Sequence, residues 1–141
     1  MLELGCGTGR WSRVFSRHVK KIEAYDQCHQ YITIAKRITR ESDIDNITYS
    51  CKCVEKIPQM KKYDYVVSIA LLHYLNEEQF KSVIQLIKTT VKNEGYAIFR
   101  ESFGVEKRFE LHGYHSDVLD TEYYAVYSTS DELSLSLGKD F

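Results

Sequence analysis

The sequence predicts an α/β fold, a doubly wound and mostly parallel sheet, and three observations predict it. Short apolar runs alternate with helix-period segments across residues 1–100, a pattern that calls for parallel strands joined by right-handed crossovers. The stretch from Asp64 to Leu72 is nearly continuous in apolar residues, as expected of a central strand covered on both faces. A glycine cluster separates the first apolar run from the first helical one. A length of 141 residues fits one domain.

Each element has its own signal. Leu2 to Leu4 is a stub of strand ending at the glycines. Trp11, Val14, Phe15, His18 and Ile22 then fall on one helical face, with Arg10, Arg13 and Arg17 opposite. Apolar residues at the complementary positions make that basic row a solvated face, and put His18 in or beside the core. Ile22 to Tyr25 reads as strand closed by Asp26, and Tyr31, Ile34, Ala35 and Ile38 repeat the helical spacing. Ile47 to Cys53 is a third strand. After the central run, Asn76 and Gln79 form a capping box ahead of Phe80, Val83, Ile84, Ile87 and Val91. Gly95 suits the left-handed position that ends such a helix, and Tyr96 to Phe99 is a fifth strand. Beyond Glu101 the pattern weakens until Thr129 and Glu132 form a second capping box, which favours a short closing helix over a strand for Leu133 to Leu137.

Composition narrows the function. Lys and Arg number 19 and Asp and Glu 20, for a net charge of −1, which argues against non-specific nucleic-acid binding. Residues 1–100 hold 16 basic and 11 acidic side chains, and residues 101–141 hold 3 and 9, so the tail is acidic. No apolar run reaches the roughly 20 residues that span a bilayer, and no leader is evident; a cytoplasmic location is expected. Cysteines stand at 6, 28, 51 and 53 without a C-x-x-C pair. They read as reduced thiols rather than a metal site, with Cys51 and Cys53 on one face of their strand.

The strongest local signal is Glu3-Leu4-Gly5-Cys6-Gly7-Thr8-Gly9. Glycines let the backbone turn sharply and approach a ligand, and the crest of an open sheet is where such folds bind ligands. Arg10 occupies the last glycine position of a dinucleotide fingerprint, and no Lys-Ser/Thr follows as in a Walker loop. Asp26 ends the second strand, 17 residues after Gly9. Its two oxygens are acceptors suited to a pair of ribose hydroxyls.

With the glycine loop and Asp26 together, the sequence resembles the class I S-adenosylmethionine-dependent methyltransferases, whose fold is Rossmann-like. Tyr25-Asp26-Gln27, Cys53-Val54-Glu55-Lys56-Ile57-Pro58, Tyr63 to Ser68, Leu72 to Leu75 and Lys92 to Tyr96 are similar to successive motifs of that family. The resemblance covers residues 1–100, the cofactor-binding core of a single domain 1–141, and leaves 101–141 as a substrate-side or closing segment. It implies S-adenosylmethionine as cofactor, with Glu3, Gly5, Gly7, Gly9, Asp26, Gln27, Cys53, Val54 and Ile69 around it. Position 53, usually aspartate in the family, is a poor partner for adenine as cysteine, so Val54 and Ile69 would pack the base instead.

The resemblance further implies methyl transfer to a small-molecule O or N acceptor by in-line displacement, which depends chiefly on orientation. A base is needed only where the acceptor arrives protonated. His73, after the fourth strand, is the candidate base or else a turn cap. Glu101, ending the fifth, either orients an amine or hydroxyl or is a solvated strand-end carboxylate. His112 and His115 would line the acceptor site only if residues 105–127 fold over it. The aromatics Phe103, Phe109, Tyr114, Tyr123, Tyr124 and Tyr127 pack on the sheet or form a substrate wall. The family's usual last two strands are lacking, and an exposed edge strand invites a homodimer. A catalytically incomplete cofactor-binding domain that pairs with another subunit is the alternative function. A nicotinamide oxidoreductase is disfavoured by Arg10.

Overall fold

The structure, a computed structural model, describes residues 1–116 and 121–138. Five strands form a parallel sheet: β1 (Leu2–Leu4), β2 (Ile22–Asp26), β3 (Ile47–Cys51), β4 (Tyr63–Ile69) and β5 (Val91–Arg100), in the order β3-β2-β1-β4-β5. Helices α1 (Arg10–Phe15), α2 (His29–Glu41) and α3 (Glu77–Thr90) connect them, with single 3₁₀ turns at Val54–Lys56 and Leu72–Tyr74. The chain runs outward from β1 to β3, then crosses to β4. The carboxyl end of β1 is therefore the point where the winding reverses, and β2 and β4 both pair with it there through Tyr25 and Ser68 opposite Leu4.

Two cores cover the two faces, as the doubly wound reading expects. On one, Ile22, Ala24, Ile32, Ala35 and Tyr49 pack together beneath α2. On the other, Leu2, Leu4, Val66, Val83, Ile84 and Ile87 pack beneath α3. Alternate residues of β1 part between them: Leu2 and Leu4 join the second core, while Glu3, itself buried, accepts a hydrogen bond from the Ser12 hydroxyl of α1.

Sequence periodicity misplaces part of two helix faces: Ala35 is buried and Ile34 and Ile38 half-buried as read, but other positions differ. The buried residues are Ser12 in α1 and Ile32, Ala35 and Thr39 in α2, whereas Val14 and Tyr31 are exposed. Helix α1 ends at Phe15, so His18 lies past it and is exposed, not core. Close packing of α1 on Glu3 selects a small hydrogen-bonding residue there, and apolar spacing cannot report that. β3 stops at Cys51, and Cys53 opens the following turn, so the two thiols do not share a strand face. All four cysteines are free, and no cluster of metal-ligating side chains occurs among the described residues.

Gly95 is likewise not a helix stop. α3 passes directly into β5 through an extended Val91. Gly95 lies inside the strand, where a Cβ would sit 2.9 Å from the Asp64 carbonyl oxygen. The need there is close approach between backbones: Tyr63 pairs with Val91 but Tyr65 pairs with Tyr96, so β5 carries extra residues at that point. Both capping boxes stand as read, Asn76–Gln79 on α3 and Thr129–Glu132 on α4 (Ser130–Leu137).

Among the described residues the sheet has no antiparallel closing pair. Instead β6 (Phe109–Ser116) and β7 (Thr121–Tyr127) form a separate antiparallel hairpin. It docks on the turn after β4, where Tyr127 stacks on His73 with centroids 5.4 Å apart. Residues 117–120 and 139–141 of the expected closing segment lie outside the described residues. Tyr65, Tyr96 and Ile98 leave one face of β4 and β5 partly open to solvent. No described helix is long and apolar enough to cross a membrane.

Burial raises the Glu3 carboxyl from its ordinary 4.5 to about 7, against the opposing hydrogen bond from Ser12 and the nearby Arg13 charge. The folded protein then holds this proton more tightly than the unfolded chain does. Its contribution to stability is full below about pH 4.5 and is lost as pH rises to about 7. Substitution Glu3→Gln keeps an acceptor for Ser12 and removes the titration. Urea unfolding is expected to show the variant gaining on the unchanged protein by roughly 3 kcal/mol between pH 4.5 and pH 8. A difference that stays constant with pH would remove the buried-carboxyl assignment.

Candidate ligand cleft at the sheet crest

The loop from Gly5 to Gly9 leaves β1 at the reversal point and enters α1. Two of its glycines meet different requirements. Gly9 has φ +74°, and a Cβ there would run into the hydroxyl end of Tyr49, a buried ring whose Oη lies 3.1 Å from Thr39 Oγ1. Gly7 has φ +52° with nothing within 4 Å of where a Cβ would stand, so its backbone faces open space. The chain is further pinned by Gly5 and Cys6 N–H groups, which both donate to the Tyr25 carbonyl at 2.8 and 3.0 Å.

Asp26 closes the arrangement. One carboxylate oxygen accepts from Gly7 N–H and the other from Cys28 N–H, each at 2.8 Å. The side chain thus ties the glycine loop to the loop after β2. Each oxygen keeps a second lone pair for a ligand hydroxyl.

Around these groups lies a cleft of about 300 Å³, with Gly5, Gly7, Asp26, Gln27 and Val54 in its wall. The structure brings those five sequence-predicted residues together. Glu3, Gly9, Cys53 and Ile69 do not reach the cleft: Glu3 and Gly9 are buried in the supporting layer, and Cys53 precedes the turn that carries Val54. Ala70, Leu71 and Tyr74 form the opposite wall. Ala70 was concealed in the sequence because its role rests on a left-handed backbone, φ +52°, at a residue that rarely adopts one. Two roomier hollows, about 440 and 560 Å³, lie between α3 and α4 and beside the start of β5. Neither touches the glycine loop, so the smaller cleft is the candidate site on chemistry rather than size.

His73 and Glu101 sit behind the cleft wall. Glu101 has a buried carboxylate that accepts from Ser68 Oγ at 2.8 Å and from Leu71 and Leu72 N–H at 3.0 and 3.2 Å. It holds the turn carrying Leu71 and Tyr74 and is not a solvated strand end. His73 is buried between the Tyr74 and Tyr127 rings. Its Nδ1 lies 3.4 Å from Glu101 Oε2, but the approach is too oblique for a hydrogen bond. His112 is exposed on the hairpin and paired with Glu110, and His115 is exposed there too.

Replacement Gly9→Ala forces both a left-handed alanine and a collision with Tyr49. It is expected to lower the unfolding free energy by at least about 2 kcal/mol in urea. Adding Tyr49→Phe, which trims the hydroxyl, should return part of that loss. A neutral Gly9→Ala would show that the loop does not need this geometry.

Comparison with known proteins agrees with the geometry. A family model described as a methyltransferase domain matches residues 1–95. A malonyl-[acyl-carrier protein] O-methyltransferase of Bacillus anthracis is 33% identical over 114 residues, 79% of this chain and 40% of that protein. This chain thus spans about 40% of that relative's length. Among solved structures, the glycopeptide N-methyltransferase MtfA complexed with S-adenosyl-L-methionine superposes with a TM-score of 0.80 at 12% identity, over 99% of this chain and 74% of that one. The DhpI–SAH complex gives 0.75 at 20% identity, over 99% and 65%. At those identities the likeness establishes the fold. The family model covers more than half of the chain and coincides with the sheet and the glycine-loop cleft, and on that basis the chain belongs to the methyltransferase domain family.

Proposed function

We propose that this domain binds S-adenosylmethionine in the cleft at the crest of β1 and β2 and transfers its methyl group to a small-molecule O or N acceptor. The observation that carries the reading is the Asp26 carboxylate bridged to the bare backbone at Gly7, with open space where a Cβ would stand. The residues fit the cofactor. Gly5 and Gly7 let its amino-acid end lie on the backbone, Asp26 accepts from the ribose hydroxyls, and Val54 and Leu71 offer apolar surface to adenine. The cofactor supplies a methyl group on a positively charged sulfur.

What the chain adds is orientation. Glu101 fixes the turn after β4, so Ala70, Leu71 and Tyr74 meet the ligand as a rigid wall. In-line displacement gains mainly from holding nucleophile and methyl carbon in line. Asp26 spends one lone pair of each oxygen on backbone amides, and His73 and Glu101 lie buried behind the wall. The acceptor is therefore read as reacting through a lone pair it already carries, without a proton taken by these groups. The O-methyltransferase relative has a name that specifies a carrier-bound malonyl acceptor; for this chain a free small molecule and a cytoplasmic setting belong to the proposal.

The second reading is a cofactor-binding domain that needs another subunit for turnover. The solvent-open face of β4 and β5 at Tyr65, Tyr96 and Ile98 favours it, because parallel sheets are ordinarily covered on both faces. β3 and β5 also stand as the sheet's two edges, where a second copy could pair.

Calorimetric titration with S-adenosylhomocysteine tests the binding step. Asp26→Asn is expected to weaken binding between about 10- and 100-fold, from loss of charge-assisted hydrogen bonds. The exposed Asp64→Asn should bind as the unchanged protein does. Equal affinity for all three would overturn the site. Methyl transfer from labelled cofactor to a metabolite panel then separates the two readings, since binding without any turnover supports the incomplete domain.

A further inference from the structure

Arg10 and Arg100 share one aromatic ring. Each guanidinium carbon lies 5.7 Å from the Trp11 ring centroid. Both arginines are exposed, Trp11 is half-buried and stacked on Phe15, and neither guanidinium has a carboxylate partner among the described residues. The other cation near the loop, Arg13, is already engaged by the Thr8 carbonyl at 2.8 Å.

Two like charges each 5.7 Å from one ring centroid, and so no more than about 11 Å apart, repel each other. The contact with tryptophan offsets part of that and holds two long side chains that would otherwise be mobile. Their place in the fold gives this pair a ligand. Arg10 is the first residue of α1, directly after Gly9, and Arg100 is the last residue of β5. The Arg100 carbonyl accepts at 2.9 Å from the N–H of Ala70, which stands in the cleft wall. The cleft lies over the end of β1, between the loop after β2 and the turn after β4, and both arginines leave backbone that adjoins it. The two guanidiniums are thus gathered on Trp11 from the backbone that follows the glycine loop and from the backbone that holds Ala70 of the wall.

We propose that Arg10 and Arg100, held on Trp11, recognise an anionic group, a carboxylate or a phosphate, on the methyl acceptor. The proposal rests on the cofactor reading above and adds the charge of the substrate to it. Guanidinium forks match the paired oxygens of either anion. The tryptophan pre-organises the forks, so less freedom is lost when the anion arrives. The anion is a handle that positions the acceptor; it takes no part in bond making.

The test uses the whole chain, uniformly ¹⁵N-labelled, saturated with S-adenosylhomocysteine. Side-chain Nε–H resonances are followed during titration with inorganic phosphate and, separately, with acetate, against chloride at matched ionic strength. The expected result is joint saturation of the Arg10 and Arg100 signals by phosphate, acetate or both, with chloride inert; the tighter of the two identifies the anion. Arg100→Ala should raise the midpoint seen at Arg10 by about fivefold or more, and Arg100→Lys by a smaller factor, because it keeps the charge without the fork. Arg17→Ala, beyond the end of α1, should change nothing. Non-saturating shifts equal to those of chloride, or an Arg10 midpoint indifferent to Arg100→Ala, would overturn the proposal. Failure of the cofactor reading shows separately, as an absence of Gly7 and Asp26 amide shifts when S-adenosylhomocysteine is added.

Discussion

The carboxylate of Asp26, stretched between the N–H groups of Gly7 and Cys28, is the constraint from which the rest of the site follows. It joins the loop after β1 to the loop after β2, two segments with no other side-chain hydrogen bond between them among the described residues. Hydrogen bonds to a charged acceptor contribute about 1.5–3 kcal/mol each. They also orient both carboxylate oxygens toward the crest. The three left-handed glycines become tolerable because the loop they form is held at its midpoint. Without that bond the loop would keep its freedom and the cleft would lose one wall.

The opposite wall follows the same logic with a different carboxylate. Glu101 arrives from the end of β5 and collects the Ser68 hydroxyl and the Leu71 and Leu72 amides. The left-handed Ala70, costly by itself at about 1 kcal/mol or more, is held between that bond set and the Arg100 carbonyl. Two buried or half-buried acids, each spent on backbone amides, thus shape the cleft from its two sides. A third, Glu3, ties α1 to β1 beneath the floor. Each of the three acids is engaged by amide or hydroxyl donors of its own, so each shapes the site.

Much of this was legible in the sequence. The alternation of runs gave five parallel strands with helices between them, and both capping boxes mark the helix starts they signalled. The glycine loop and Asp26 were legible because their chemistry is local: one needs positive φ, the other an acceptor at a strand end. Gly95 was misread because a helix stop and a close backbone approach ask for the same residue. Helix faces in α1 and α2 were only partly read because Ser12 and Thr39 are buried through hydrogen bonds, which apolar spacing ignores. Ala70, Leu71 and Tyr74 escaped because their place depends on Glu101, thirty positions away in the chain. The hairpin of β6 and β7 stayed hidden in an acidic, aromatic tail whose alternation is broken at Gly113.

A crystal structure of the chain soaked with S-adenosylhomocysteine probes the central claim most directly. The account predicts the ribose hydroxyls on Asp26, the amino-acid end along Gly5 and Gly7, and the Gly7–Asp26 bond intact beneath them. Ligand density elsewhere, or an Asp26 side chain turned away from a filled cleft, would contradict it.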